Sequence, residues 1–282
     1  MGIPAVSRRK TLKRGYMMNP KSLKTLAIGS LTTVLGLAAH PAAAHTTIRD
    51  AATEGVTAYN ALQIGHTCEL ESGKKIPVIA QSVVFPTASP TVTQVLVTDA
   101  TTTPVTTQST ATTLDAEITD SLGLAAKASL VQDRNIFKKQ NLTLDGNGNV
   151  IGFYATNGNL QTDLRGLVPF RFTPISFKST SCAKRMLVKV AVADICKKTF
   201  PPKAGTANLW IPATTAKFTD ANIDGIGSPA TLTINRDLTK NPLPEGCPVN
   251  ANADGTTTPG YDVVVTPSAQ DVDDHLPFKG WR

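Results

Sequence analysis

The amino-acid sequence predicts an all-β protein, specifically a disulfide-stapled β-sandwich with long loops and at most short helices. Val, Thr and Ile recur in short runs that are closed by Gly, Pro, Asn and Asp, a pattern typical of strands and turns. Helical periodicity is scarce along the chain. With 282 residues, of which 41% are apolar, the chain is large enough to bury a full core, which disfavours intrinsic disorder.

The first 44 residues have the order of a secretory signal peptide. Seven basic residues and no acidic one precede an apolar run at 26–39, and small residues follow at 41–44. The run is shorter than the roughly 20 residues that span a bilayer, so we expect cleavage after Ala44 rather than a membrane anchor. Arg8 and Arg9 resemble a twin-arginine export motif, which is an alternative route.

Removal of this leader changes the charge of the protein. The whole chain carries 28 basic and 21 acidic residues, and without the seven leader cations the two signs balance. A neutral chain has no excess positive charge to neutralise phosphates, so we expect no nucleic-acid partner. We also expect no transmembrane segment in residues 45–282, and a location on the outer cell surface or in the medium, with the periplasm as the alternative.

Short segments with strand composition follow one another along residues 45–282. A hairpin is predicted at 145–149, where Asp, Asn and Gly tolerate a positive φ, and a short helix at 122–130. Nine threonines at 98–113 indicate an edge strand or a surface loop. We expect one β-sandwich-like domain over 45–282, with two small subdomains as the alternative. The predicted strands are 56–64, 76–85, 92–98, 141–144, 150–156, 186–195, 230–234 and 261–266.

Four cysteines in an exported chain indicate two disulfides, for which three pairings exist. Cys182 and Cys196 flank the predicted strand 186–195. At about 3.3 Å per residue this strand separates them by far more than the roughly 7 Å that a disulfide allows between Cα atoms. Two pairings remain open: Cys68 with Cys182 and Cys196 with Cys247, which we favour, or Cys68 with Cys196 and Cys182 with Cys247.

The sequence lacks the common enzyme motifs, so we expect a protein that is not an enzyme. It contains no GxSxG, HExxH, GxGxxG or GxxxxGK[ST] sequence and no CxxC pair. The three histidines that follow the leader are the more specific signal, because neutral imidazole is a good ligand for copper and zinc.

Each of these histidines has its own context. Cleavage leaves His45 with a free α-amine beside its imidazole, which are two nitrogen donors for one metal ion. His66 follows a predicted strand and precedes Cys68, so a disulfide holds it in place. His275 lies beside Asp273 and Asp274, whose negative charges favour its protonated form.

A second metal is indicated by the segment 220–225. Asp220, Asn222 and Asp224, followed by Gly225, match the first half of a calcium-binding loop, D-x-N-x-D-G. The glutamate expected at loop position 12 is absent, because Thr231 stands there. Calcium at this loop is therefore a hypothesis beside ordinary turn chemistry.

Several segments occur in an order that resembles a known family. They are His66-Thr67-Cys68, the run 82–86, the run 135–139, Leu209-Trp210-Ile211 and the run 232–236. The chain resembles the copper-repressed surface copper-binding proteins of methane-oxidising bacteria, the MopE/CorA type. It is also similar, more weakly, to the YcnI type of exported copper-binding domains, which begin with His and carry a later His-Gly-Cys, where this chain has Thr67.

The first resemblance implies a surface or secreted protein that holds Cu(I) through two histidines and an oxidised tryptophan. It also implies a di-haem cytochrome c peroxidase-like surface protein as a partner. Carried over to this chain, the metal ligands are His66 and His275, with Trp210 as the modifiable ring. The chain departs from the family where a Trp-x-His pair requires a histidine and Pro212 stands instead.

The sequence therefore favours a secreted or surface-associated protein that sequesters or delivers copper through histidine ligands. A structural surface protein or adhesin with no metal role is the alternative from another class. A copper-dependent oxidase that uses His45 as a chelate is the third hypothesis.

Overall fold

Two β-sheets pack face to face in the computed structural model, which describes residues 45–86, 89–119 and 128–281. The predicted signal peptide lies outside these residues. The chain from Ala43 to Arg282 is one compact unit, and its described residues are all-β apart from two short helices. The helices are α1 (Leu114–Glu117) and α2 (Ala269–His275). The strands are β1 (Thr47–Ile48), β2 (Ala52–Thr53), β3 (Ala58–Ile64), β4 (Cys68–Glu69), β5 (Lys75–Ile76), β6 (Ala80–Val84), β7 (Thr91–Asp99), β8 (Thr106–Ala111), β9 (Ala128–Leu130), β10 (Phe137–Leu144), β11 (Val150–Gly158), β12 (Gly166–Phe172), β13 (Ala183–Ile195), β14 (Ala207–Trp210), β15 (Ala230–Asn235), β16 (Val249–Ala251), β17 (Thr257–Pro259) and β18 (Tyr261–Thr266).

The smaller sheet has the strand order β1-β3-β12-β9. The larger has the order β10-β11-β6-β13-β18-β7-β8, with β14, β15 and β2 attached at or beyond β13. Two small hairpins, β4–β5 and β16–β17, complete the sheets. The apolar side chains between the two large sheets, among them Phe85, Phe153 and Phe170, form the main core.

The 13-residue strand β13 changes neighbours along its length. Its first half, up to Val190, pairs with β15 and β18, and its second half pairs with β6 and β14. Buried and at least partly exposed side chains are interspersed in the first half, whereas every residue from Val190 to Ile195 is buried. The second half is therefore covered on both faces, a burial typical of central strands.

A second apolar cluster covers the outer face of β6, β13 and β14. It includes Ala193 and Leu209 from the strands and Val272 and Leu276 from α2 and its end. Ser268 caps α2 by accepting a hydrogen bond from the Asp271 amide. The Ser82 hydroxyl donates to the Leu276 carbonyl at 2.6 Å, which fastens the helix to β6.

The described structure confirms most of the predicted strands and corrects other elements. Each predicted strand overlaps an observed one, and the threonine-rich segment contributes the edge strand β8, in which all six residues are exposed. Sequence reasoning missed β12 and β14, and also six strands of only two or three residues: β1, β2, β4, β9, β16 and β17. The helix predicted at 122–130 is wrong at its end, because residues 128–130 form β9 against β12, and its remainder lies outside the described residues.

The two disulfides join Cys68 to Cys196 and Cys182 to Cys247, with Cα separations of 6.1 and 5.5 Å. The exclusion of a Cys182–Cys196 bond is confirmed, because β13 lies between these residues. The favoured choice of the two remaining pairings is wrong. Strand length shows that the ends of β13 are far apart, but only the sheet topology determines which loop reaches which end. Two disulfides indicate an oxidising environment and hence an exported protein.

No helix in the described part of the chain combines the length and the apolar character needed to cross a membrane.

We expect Gly152→Ala to lower the free energy of unfolding by about 2–3 kcal/mol in urea denaturation. Gly152 lies in β11 opposite Val84, and an added Cβ would be 2.0 Å from the Val83 carbonyl oxygen, so β6 and β11 must separate. Gly146→Ala is the control, since nothing lies within 4 Å of its added Cβ. Equal stability of the two variants would contradict the register between β6 and β11.

Candidate metal site around Trp210

Two histidines that are 21 positions apart in the chain lie against the same indole ring. His45 precedes β1, His66 follows β3 and Trp210 is the last residue of β14. The His45 ring centroid is 5.0 Å from that of Trp210, with the planes tilted by 41°. The His66 ring lies edge-on to the indole at 5.7 Å. Both imidazoles are partly exposed, so the indole forms the floor of a site that solvent reaches.

Trp210 itself is fully buried and firmly held. Its Nε1–H donates a hydrogen bond of 2.7 Å to Oδ2 of Asp194 on β13. Gly225, at φ +100°, lies against the ring, and a Cβ at this position would be 2.6 Å from Cε3 of the indole. Both the positive φ and the close approach require glycine here. The ring therefore cannot shift without disturbing β13 and the loop after β14.

Asp194 joins this floor to the segment that carries His45. Its carboxylate is fully buried and accepts hydrogen bonds from three donors, which belong to three different segments. Thr46 Oγ1 donates to Oδ2 at 2.5 Å, and Gln81 Nε2 donates to Oδ1 at 2.8 Å. Trp210 is the third donor. Because Thr46 is the neighbour of His45, its bond to Asp194 places His45 beside the indole.

The environment of His66 determines which ring nitrogen is presented to a ligand. Nδ1 lies 2.8 Å from the Thr67 carbonyl oxygen, so the Nδ1–H donates to it. In the neutral ring the lone pair is then on Nε2, which lies 3.1 Å from Oδ2 of Asp224. A hydrogen bond that fixes the tautomer in this way is typical of metal-binding histidines.

The Cys68–Cys196 disulfide anchors both sides of the site. Cys68 is two residues after His66, and Cys196 is two residues after Asp194. The Cys68 amide also donates to Sγ of Cys196 at 3.3 Å. The histidine loop and the end of β13 are thus covalently joined next to the candidate ligands.

The acid–base properties of the site follow from these contacts. The hydrogen bond that His66 donates to the Asp224 carboxylate raises the pKa of His66 above its ordinary value, although burial lowers it. The same bond lowers the pKa of Asp224, and charge on His45 adds to the effect. Burial raises the pKa of Asp194, while its three hydrogen-bond donors and the charge on His66 oppose that rise.

His275, the third predicted ligand, lies elsewhere in the fold. It ends α2, and its charge acts on Asp274 and on Asp145 in the turn between β10 and β11. No described contact joins it to His45 or His66. The structure thus brings together two of the three histidines, together with Trp210.

The candidate calcium loop is divided between two interactions. The Asp220 carboxylate accepts hydrogen bonds from the Asn222 backbone and side-chain amides, at 3.0 and 3.1 Å. The Asp224 carboxylate is directed to His66 instead, and Gly225 packs on Trp210. Calcium at this loop stays a prediction, and Asp224 has a second role that the motif did not suggest.

The site offers nitrogen and oxygen donors for one cation. His66 Nε2 and the Asp224 carboxylate are close enough to share one proton. A metal ion could replace that proton, because both groups coordinate metals in their deprotonated forms. Among the described residues, no three His, Cys, Asp or Glu side chains are placed together closely enough to hold a metal. His45 lies against the same indole but does not complete such a group with His66 and Asp224. Its α-amine would be a further nitrogen donor if the predicted leader is removed.

Comparisons with family models, with curated proteins and with solved structures find no match to this chain.

We expect NMR titration of the metal-free protein to give His66 a pKa above about 6.5, and the Asp224→Asn variant to lower it, because the ion pair is removed. A raised folded-state pKa means that this pair stabilises the fold fully below the ordinary pKa of histidine. The stabilisation is lost as the pH rises through the folded-state pKa. An unchanged His66 titration in Asp224→Asn would contradict the observed pairing.

Proposed function

We propose that the exported protein binds one copper ion beside Trp210 and sequesters or delivers it outside the cell. The observation that carries the proposal is the placement of His45 and His66 against one buried indole, with the Asp224 carboxylate on Nε2 of His66. The two histidines come from separate segments, and Asp194 and the Cys68–Cys196 disulfide hold those segments in place.

The donor types support copper. Two imidazoles suit copper in either oxidation state, and no thiol competes, since both cysteines near the site are in a disulfide. A carboxylate and an α-amine are harder donors, which favour Cu(II) over the Cu(I) that the family resemblance implies. Trp210 has no donor atom for the metal, because its Nε1–H is bonded to Asp194. Its fixed ring instead shields one side of the site from water.

After export, the protein is released from the membrane into an oxidising compartment, at the cell surface or in the medium. Removal of residues 1–44 makes His45 the first residue, and only then does its α-amine become a donor. Cleavage of the leader during export would therefore also supply the last nitrogen donor of the metal site.

We expect the protein beginning at His45 to bind one equivalent of Cu(II) tightly enough to retain it through desalting. His45→Ala and His66→Ala should each weaken binding by at least about tenfold, because each removes one imidazole donor. Asp224→Asn should have a smaller effect, since one lone pair stays on its amide oxygen. Titration against a chelator of known affinity measures all three, and a parallel Cu(I) titration under reducing conditions compares the oxidation states.

Two controls make this experiment specific. His275→Ala removes a histidine that lies away from Trp210, and this variant should bind copper as tightly as the wild type. A protein with one extra glycine before His45 keeps every side chain but moves the α-amine, and it should bind more weakly. Loss of binding in His275→Ala, or no copper retained by the wild type, would contradict the proposal.

A further inference from the structure

We propose that a basic cleft between the edge strands of the two large sheets binds an anionic oligosaccharide. The cleft has a volume of about 510 Å³, which is in the range of small-ligand sites. It is lined by β9, which is an edge strand of the smaller sheet, by the segment that follows β9, and by β10, which is an edge strand of the larger sheet. It shares no residue with the site around Trp210 and requires no metal ion.

The charged side chains of the cleft indicate the sign of its ligand. Arg134, Lys138 and Lys139 line it, all three are exposed, and none forms an ion pair with a described residue. The single acidic residue from 129 to 142 is Asp133, whose carboxylate accepts a hydrogen bond from the Asn135 amide and does not line the cleft. Residues 45–282 carry no excess of basic side chains, so these three cations are a local concentration of charge. Such a concave cationic site attracts anions.

The uncharged lining indicates a carbohydrate. Ser129, Gln132 and Asn141 add a hydroxyl and two amides to the cleft, and all three side chains are exposed. No hydrogen bond joins them to another residue in the described part of the chain, so they are available to the hydroxyl groups of a sugar. Leu130 and Leu142 supply apolar surface against which the C–H faces of a sugar ring can pack. A ligand with anionic groups, hydroxyls and C–H faces is an acidic oligosaccharide.

The Gln140 side chain holds one wall of the cleft in place. Its Oε1 accepts a hydrogen bond from the Asp133 amide at 3.0 Å, and its Nε2 donates to the Val131 carbonyl at 3.4 Å. The segment that carries Arg134 is therefore fastened to β10, which carries the two lysines. These contacts also place that segment beside β10, where an added peptide strand would need free backbone groups. A carbohydrate has no such need, which favours it over an acidic peptide.

Lysines on an edge strand have a second explanation, because they discourage pairing with the strands of other molecules. That explanation accounts for Lys138 and Lys139 in β10. It does not account for Arg134, which lies outside the strands, or for the polar side chains that β9 and the following segment contribute to the same cleft. A binding site accounts for all of them.

The test is calorimetric titration of the metal-free protein with an oligogalacturonate and with a sulfated oligosaccharide of the same length. We expect one-to-one binding that is lost when the galacturonate carboxylates are methyl-esterified. Arg134→Gln and the double variant Lys138→Gln/Lys139→Gln should each weaken binding by at least about tenfold, because each removes charge-assisted contacts. Tighter binding of the carboxylated or of the sulfated oligomer supports the proposal and identifies the anionic group.

Lys74→Gln/Lys75→Gln is the matched control. These adjacent lysines are also exposed, and they belong to the β4–β5 hairpin and do not line the cleft. This variant should bind the oligosaccharide as tightly as the wild type. An equal loss in both lysine pairs would show attraction to the protein's charge in general and would overturn the proposal. So would the absence of binding, or tighter binding of an oligoglutamate of the same length.

A measurement on the wild type locates the site without any substitution. The side-chain amide resonances of Gln132 and Asn141 should shift in NMR spectra when the oligosaccharide is added. Shifts confined to residues outside the cleft would contradict the proposal. Because copper takes no part in these experiments, their failure would leave the proposed function standing.

Discussion

The buried carboxylate of Asp194 is the interaction on which the candidate site depends. It contacts both the segment carrying His45, through Thr46, and the indole of Trp210 against which both histidines lie. Because Asp194 lies in β13, the central strand of the larger sheet, the site is anchored to the buried core of the protein. The Cys68–Cys196 disulfide adds a covalent link from the same end of β13 to the His66 loop.

The fold explains how such a group can be fully buried. The second half of β13 is covered on one side by the main core and on the other by the cluster that α2 helps to form. Residues on both faces of this strand are therefore inaccessible to water, and a polar one among them must find all its partners within the protein. Asp194 finds three, each from a different segment. The polar network and the apolar layers thus depend on one another.

Sequence reasoning predicted the fold class and most of the strands that have four or more residues, because alternating Val, Thr and Ile between turn residues indicate strands directly. It missed β14, a four-residue strand that is buried throughout and so shows no alternation. It identified His45, His66 and Trp210 one by one, but the family resemblance paired His66 with His275. Nothing local to either residue tells that α2 lies away from the indole.

Sequence reasoning did not reveal the contacts of the site that join residues far apart along the chain, because these contacts depend on how the strands and loops are arranged in the fold. Asp194 is an ordinary residue of a strand, and its three donors lie at least 16 positions away along the chain. The sequence indicates Asp224 and Gly225 as part of a calcium motif. In the structure, Asp224 contacts His66 and Gly225 packs against Trp210. The same holds for the disulfides, whose pairing follows from which loops meet the two ends of β13.

The central claim is that one copper ion is held by the imidazoles of both His45 and His66. Pulsed electron paramagnetic resonance of the Cu(II)-loaded protein counts coordinated imidazoles from their remote nitrogens, and it measures this claim most directly. The account requires modulation from two imidazoles in the protein beginning at His45, reduced to one when His66 is replaced by alanine. A spectrum with no imidazole, or one that the replacement of His66 leaves unchanged, would contradict it.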